Sequence, residues 1–228
     1  MTIDAVIVAG GAGKRLGSDA PKAFVDLGGR PLFMHSLAQF NTHTSIAMIV
    51  LVVPADKVSE AGAVISRNGL AAKIKIVAGG NERWQSVQSG VNASKAQWVL
   101  VHDAARPFVN HAVIDSVLEK RTLYDCVITV TAEVDTIRRF ENDRALGTID
   151  RNSVVRVGTP QLFKTSLLKK AFLKAGTLDP PPTDEAMLME TMGISVGIAW
   201  GDPLNFKITT KSDLMLAEAL CASFDTRK

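Results

Sequence analysis

Seven short apolar runs, several of them continuous rather than alternating, leave this chain few architectures to choose from. They are Ala5 to Ala9, Ile46 to Val53, Lys73 to Val77, Trp98 to Val101, Asp125 to Ala132, Ile194 to Trp200 and Phe206 to Thr209. A strand that is apolar at successive positions must be covered on both faces, as in a parallel sheet packed between helices. Helical patterns lie between the runs. Pro31 suits the first turn of a helix through Phe40, Asn81 or Asn92 punctuates another over Glu82 to Val91, and Asp213 opens the last, through Ala222. The expected fold is α/β: a single domain over residues 1–228, with a Rossmann-like, mainly parallel sheet flanked by helices. At 228 residues and 46% hydrophobic content, the chain can bury a substantial core.

In sheets of this kind ligands bind beyond the carboxyl ends of the strands. The segment after the first run is accordingly the most informative. It reads Gly10-Gly11-Ala12-Gly13-Lys14-Arg15-Leu16-Gly17, with Pro21-Lys22 behind it. Glycines let backbone N–H groups close around an anion, and the cations add full charge at the same place. The spacing is neither a Walker loop, which needs Gly-Lys-Ser/Thr, nor a dinucleotide fingerprint, whose third glycine would come one residue earlier. A polyphosphate is the expected ligand. Gly79-Gly80-Asn81-Glu82-Arg83 and His102-Asp103-Ala104-Ala105-Arg106-Pro107 follow two further runs, so all three segments should line one crevice.

Charge and composition narrow the partners. A net charge of +3, without basic runs or aromatic-basic interleaving, does not suggest nucleic acid. No apolar stretch approaches the length of a membrane span. The chain enters its first strand directly, so no signal peptide and a cytoplasmic location are expected. Cys126 and Cys221 lack a CxxC spacing and read as buried thiols, and His35, His43, His102 and His111 lack zinc-site spacing.

Two features admit more than one reading. Asp103 closes a strand run near the polyphosphate loop, where a carboxylate suits magnesium; a helix cap or turn role is the alternative, with Arg106 able to pair with it or reach an anion. Glu133 to Asn152 reads as two strand-like segments around the polar tip Glu141-Asn142-Asp143-Arg144. So polar a β-hairpin is either solvated surface or a protruding arm that packs on another subunit.

Read together, these strings resemble a known family. The glycine loop with Pro21-Lys22 looks like the signature of nucleotidyltransferases of the nucleotide-diphospho-sugar transferase fold. Gly79-Gly80-x-Glu82-Arg83-x-x-Ser86-Val87, His102 to Pro107, Asp135-Thr136, Asp150-Arg151-Asn152, Thr159-Pro160-Gln161, Thr183-Asp184-Glu185-Ala186 and Asn205-x-Lys207-x-Thr209 are similar to 2-C-methyl-D-erythritol 4-phosphate cytidylyltransferases. The match runs in order from about Ala5 to Leu220. It implies that CTP and 2-C-methyl-D-erythritol 4-phosphate are joined, with release of pyrophosphate, in non-mevalonate isoprenoid precursor synthesis. No fused cyclodiphosphate synthase is expected.

The resemblance also implies roles. Arg15 and Lys22 would stabilise the transition state, and Arg151 and Lys207 would position the incoming phosphate. Ala9, Gly10, Gly11, Ala12, Gly13, Gly80, Asn81, Ser86 and Ala104 would bind the nucleotide, with backbone groups near Ala9 and Gly80 and the Ser86 hydroxyl meeting the cytosine edge. Asp103, Arg106, Thr136, Arg151, Thr183 and Lys207 would bind the acceptor, and Asp103 would hold Mg2+. Taken alone, Ser86 could equally be a helix cap and Lys207 a solvated strand lysine. In the family a comparable arm crosses to a twofold partner, which implies a homodimer. Ala23, where many relatives carry Gln, and Asn81, where some carry Asp, depart from the pattern. The rival readings are a cytidylyltransferase for another polyol phosphate, such as ribitol 5-phosphate, and a catalytically silent nucleotide-sensing subunit.

Overall fold

The computed structural model describes residues 1–11, 13, 16, 17 and 21–225. The chain begins with β1 (Ile3–Val8), the short pair β2 (Asp26–Leu27) and β3 (Arg30–Pro31), and α1 (Leu32–Thr42). It continues through β4 (Met48–Val53), α2 (Val58–Arg67), β5 (Ile74–Ala78), α3 (Arg83–Ala93) and β6 (Trp98–Asp103). After α4 (His111–Glu119) and β7 (Cys126–Ala132) come β8 (Ile137–Glu141) and β9 (Arg144–Ile149). The last elements are β10 (Val155–Lys164), α5 (Thr165–Ala175), α6 (Glu185–Glu190), β11 (Val196–Trp200) and α7 (Lys211–Asp225).

Among the described residues, seven strands form the main sheet in the order β11-β7-β10-β6-β1-β4-β5. β1 pairs in parallel with β4 and β6, β4 with β5, and β7 with β11. Only β10 runs against its neighbours, β6 and β7. The sheet is thus mainly parallel, as the continuous apolar runs predict.

Both faces are covered, and successive strand residues divide between them. Ala5 and Ile7 face one layer with Ile49, Leu51 and Leu100, packed by Phe33, Leu37 and Phe40 of α1 and by Ile65 and Ile114. Val6 faces the other with Val50, Val52 and Val101, under Val87 and Val91 of α3 and under Leu168, Phe172, Leu188 and Met189. Helix α3 lies so close that a Cβ on Gly90 would overlap the side chains of Val6 and Val52. That contact brings the N-terminus of α3 to the carboxyl ends of β1 and β5.

Three expectations change. Phe206 to Thr209 is not a strand: the Ile208 N–H donates to the Ala105 carbonyl at 2.9 Å and the Thr209 N–H to the Asp213 carboxylate at 2.8 Å. Isolated tethers therefore replace a ladder there. β10 lacks an apolar signature over its first half, where Arg156, Gly158 and Pro160 interrupt the pattern, and its register shifts between Gly158 and Gln161. Cys221 is half-buried rather than buried, while Cys126 is fully buried and its thiol is pushed up by desolvation.

The hairpin of β8 and β9 forms a separate two-stranded sheet. Its apolar side chains have little cover: Phe140 is 80% exposed and Leu146 55%. The two-strand reading of Glu133 to Asn152 is correct in outline, and the hairpin contributes little to the core of its own chain.

Candidate active site

The carboxyl ends of β1, β5 and β6 meet at a cavity of about 260 Å³. Gly10 and Gly11 follow β1, Gly80, Asn81 and Arg83 follow β5, and Asp103 and Ala105 lie at the end of β6; Ala9, Lys22, Ser86 and Lys207 also reach the wall. The loop segments are held by specific backbone bonds. The Ala9 N–H donates to the Val52 carbonyl at 2.7 Å, and the Lys22 N–H donates to the Gly11 carbonyl at 3.0 Å. Lys22 is thereby pinned beside the glycines, while Ala12 and Arg15 lie outside the described residues. Gly13 is described, but it does not line this cavity.

The turn after β5 explains its paired glycines. A Cβ on Gly79 would stand 2.6 Å from the Ser86 hydroxyl, and one on Gly80 would strike the Gln85 side chain. The Gly80 N–H donates to Ser86 Oγ at 3.1 Å. Glu82, not Asn81, caps α3, in a capping box with Gln85 whose Oε1 accepts the Glu82 N–H at 3.0 Å. Ser86 therefore braces the cavity wall from behind its glycines. Ala104 lines neither this cavity nor the second one adjoining it: it is fully buried and its N–H donates to the Val8 carbonyl at 3.0 Å. Ala105 takes the place on the cavity wall.

A second cavity, of about 230 Å³, shares Arg83, Asp103 and Lys207 with the first and is closed by Arg106, Gly158, Thr159, Gln161, Thr183 and Asp184. The shared wall is a chain of charges. Lys207 Nζ lies 2.6 Å from Asp103 Oδ2, and Arg83 Nη2 lies 3.1 Å from Asp103 Oδ1. Arg83 Nη1 also donates to both oxygens of Glu185, at 2.8 and 2.9 Å. Burial would raise the Asp103 carboxyl, but Arg83 and Lys207 hold it far below the usual carboxylate range. Burial pushes the Glu185 carboxyl up to about 7, and Arg83 keeps it from rising further.

Arg106 lines the same cavity as Asp103 but forms no ion pair with it among the described residues. Its Nη1 donates to the Asn205 carbonyl at 3.0 Å, and its Nε is buried with no partner among the described residues. Arg83, from the Gly79 to Val87 segment, is the arginine that pairs with Asp103. Thr136 and Arg151 are exposed on or beside the hairpin and do not line either cavity; Arg151 Nη1 donates to the Val134 carbonyl at 2.8 Å. Among the described residues, no cluster of three or more His, Cys, Asp or Glu side chains gathers around a point. Asp103 is the carboxylate common to both cavities.

His102 holds the end of β6 in place from the buried side. Its Nε2 lies 3.1 Å from the Arg106 carbonyl and its Nδ1 3.1 Å from Thr159 Oγ1, which also accepts the Asp103 N–H at 3.1 Å. The carbonyl requires a donor at Nε2, and burial keeps the ring neutral, so Nδ1 accepts the Thr159 hydroxyl proton. Burial lowers its pKa from 6.5 to about 4. Because the folded value lies below the unfolded one, protons favour unfolding. The contribution is complete above pH 6.5 and is lost as pH falls towards 4, about 3 kcal/mol for a shift of this size. Denaturant titrations of wild type and H102Q across that range check this: the variant should lose stability less steeply with acid, and parallel curves would count against it.

Comparison with known proteins identifies the family. The model of the family described as IspD, 2-C-methyl-D-erythritol 4-phosphate cytidylyltransferase, matches residues 3–223. The chain belongs to that family. It is accordingly a nucleotidyltransferase of the cytidylyl-transferring type. A relative of the same name from Halalkalibacterium halodurans is 39% identical over 228 residues and is covered completely, as is this chain. The crystal structure of 4-diphosphocytidyl-2C-methyl-D-erythritol synthase from Anaerococcus prevotii superposes with a TM-score of 0.86 at 26% identity, covering 97% of this chain and 96% of that one. The cytidylyltransferase from Thermus thermophilus gives 0.79 at 30% identity, covering 97% of this chain and all of the other. The α/β fold with its mostly parallel sheet is that of these structures.

Proposed function

We propose that the two cavities take the two substrates of the family reaction, CTP beside the glycine loop and 2-C-methyl-D-erythritol 4-phosphate beside Thr183 and Gln161. The observation that carries this reading is their common wall of Arg83, Asp103 and Lys207. A phosphate oxygen of the acceptor attacks the α-phosphorus of CTP, the bond to the β-phosphate breaks, and pyrophosphate leaves with that electron pair. The acceptor is already an anion, so no proton need be removed. The barrier is the approach of like charges and the charge gathering on the leaving group, which positioning and cations relieve.

Lys22 serves the nucleotide side, with Arg15 assigned beside it from the sequence alone. Lys207 serves the acceptor phosphate. Asp103 is the carboxylate that would hold a divalent cation such as magnesium, but Arg83 occupies its Oδ1 and Lys207 its Oδ2, so the cation would be held there only in exchange for Lys207; it would supply neutralising charge. The fit rests on a single carboxylate at the junction of both cavities. Arg106, with its buried unpartnered Nε, faces the acceptor cavity from the far side.

A homodimer belongs to the same reading. Thr136 and Arg151 stand apart from both cavities, on an arm whose apolar side chains lack cover, and a twofold partner would bring them to the neighbouring site. One nucleotidyltransferase domain accounts for the whole chain, and a cytoplasmic location is proposed with it. Among the described residues no helix is long and apolar enough to cross a membrane.

Pyrophosphate release measured with CTP or UTP, with magnesium, and with each of two polyol phosphates tests the reading. Cytosine presents an N4 amine where uracil presents an acceptor, so carbonyl groups at the base edge should favour CTP about 100-fold or more in kcat/KM. Turnover with methylerythritol phosphate well above that with ribitol 5-phosphate is expected. Comparable use of UTP would sink the base assignment, equal use of ribitol 5-phosphate the acceptor assignment, and no turnover with any pair would favour a nucleotide-sensing subunit.

A further inference from the structure

We infer that Glu185 is a positioning residue for cytidylyl transfer, holding Arg83 so that Asp103 and Lys207 stand correctly between the two substrates. The inference rests on the proposed reading of the cavities. Glu185 is 0% exposed and lines neither cavity, so it does not touch substrate. Its contact is with Arg83, whose Nη1 donates to both its carboxylate oxygens, while the other edge of the guanidinium, Nε and Nη2, donates to Asp103 Oδ1 at 3.2 and 3.1 Å. A planar fork held on two edges by two carboxylates cannot rotate. Asp103 is then fixed on one oxygen by Arg83 and offers the other to Lys207, 2.6 Å away.

Glu185 is itself well anchored. It is the first residue of α6, whose cap, Asp184, accepts the Met187 N–H at 3.0 Å with one oxygen and the Gln161 side-chain amide at 3.0 Å with the other. The network thus ties α6 and β10 to α3 and β6. Above pH 7, where Glu185 is ionised, the formal charges of the network alternate from Glu185 through Arg83 and Asp103 to Lys207 and cancel. Neutralising Glu185 frees one edge of Arg83, which can then swing towards the phosphates or bind Asp103 alone. Either movement changes what Asp103 can offer Lys207, with an added positive charge left in the wall. Ground-state binding of anions survives such a change better than alignment does.

Steady-state kinetics of E185Q, R83Q and the double variant test this. Assayed above pH 7, where Glu185 is ionised, E185Q, which preserves shape and removes charge, should lower kcat about tenfold, as for coupled neighbours, with KM for CTP within about twofold. Because Glu185 acts through Arg83, E185Q should slow R83Q by less than about twofold further. If E185Q alone is too unstable to assay, the double variant, which removes both buried charges, is compared with R83Q, and the same equality is required. Wild-type kcat in E185Q, or a full additional loss in the double variant, would overturn the inference while leaving the reading of the cavities intact. A wild-type protein without turnover would overturn both.

Discussion

Replacing Lys22 by methionine should lower kcat about 100- to 1000-fold while KM for CTP changes by no more than a few-fold. A cation aimed at charge that develops during reaction is worth on the order of 2.7–4 kcal/mol in comparable sites. Lys22 lines the cavity proposed for the nucleotide with Gly10 and Gly11, and its backbone N–H closes the loop onto the Gly11 carbonyl at 3.0 Å. That bond belongs to the main chain and survives the substitution, so the loop should stay closed. Ground-state binding draws on many contacts to base, ribose and phosphates, whereas the departing pyrophosphate draws most on nearby positive charge. The loss therefore falls on kcat. Arg15→Met is expected to act in the same way on sequence grounds. Initial rates of pyrophosphate release give both constants, and a near-normal kcat in K22M would remove Lys22 from the catalytic machinery.

Mixing inactive K22M with inactive R151M should restore activity to roughly a quarter of wild type once subunits have exchanged. In a mixed dimer, the site built on the R151M chain keeps its own Lys22 and receives Arg151 from the K22M chain. The other site lacks both. About half of the dimers are mixed and each has one working site, hence about a quarter. The basis is geometric. Arg151 is exposed, its guanidinium donates to the Val134 carbonyl at 2.8 Å, and neither it nor Thr136 lines either of the two cavities of its own chain. The neighbouring hairpin carries Phe140, 80% exposed, and Leu146, 55% exposed, which a second copy of the chain would cover. Proven exchange without recovery would return Arg151 to its own subunit and the hairpin to a solvated surface feature.

Much of this protein is legible along the chain because its determinants are local. A continuous apolar run such as Met48 to Val53 needs cover on both faces wherever it lies, so the layered parallel sheet follows from β1, β4 and β6 read singly. The glycine loop can be read as a proposed anion site because freedom from a Cβ and nearby cations are properties of consecutive residues. Asp103 is legible for the same reason, as a carboxylate ending an apolar strand.

What the chain does not disclose depends on residues distant in sequence. β10 is a central strand because β6 and β7 flank it, although Pro160 and its polar neighbours argue locally against a strand. Lys207 reaches Asp103 from a loop tethered to Ala105, not from a strand whose alternation would set its direction. A one-residue difference in the turn after β6 puts Ala105 on the cavity wall and spends the Ala104 N–H on Val8. The same holds for the ion pair of Arg83 with Glu185, 102 positions away in sequence. Local sequence specifies which groups a chain carries and which way a strand or turn runs. Only packing of α3 over β1, β4 and β5 and of α6 over β7 and β11, on one face of the sheet, decides which buried charges meet, because their partners are chosen by desolvation and distance in three dimensions.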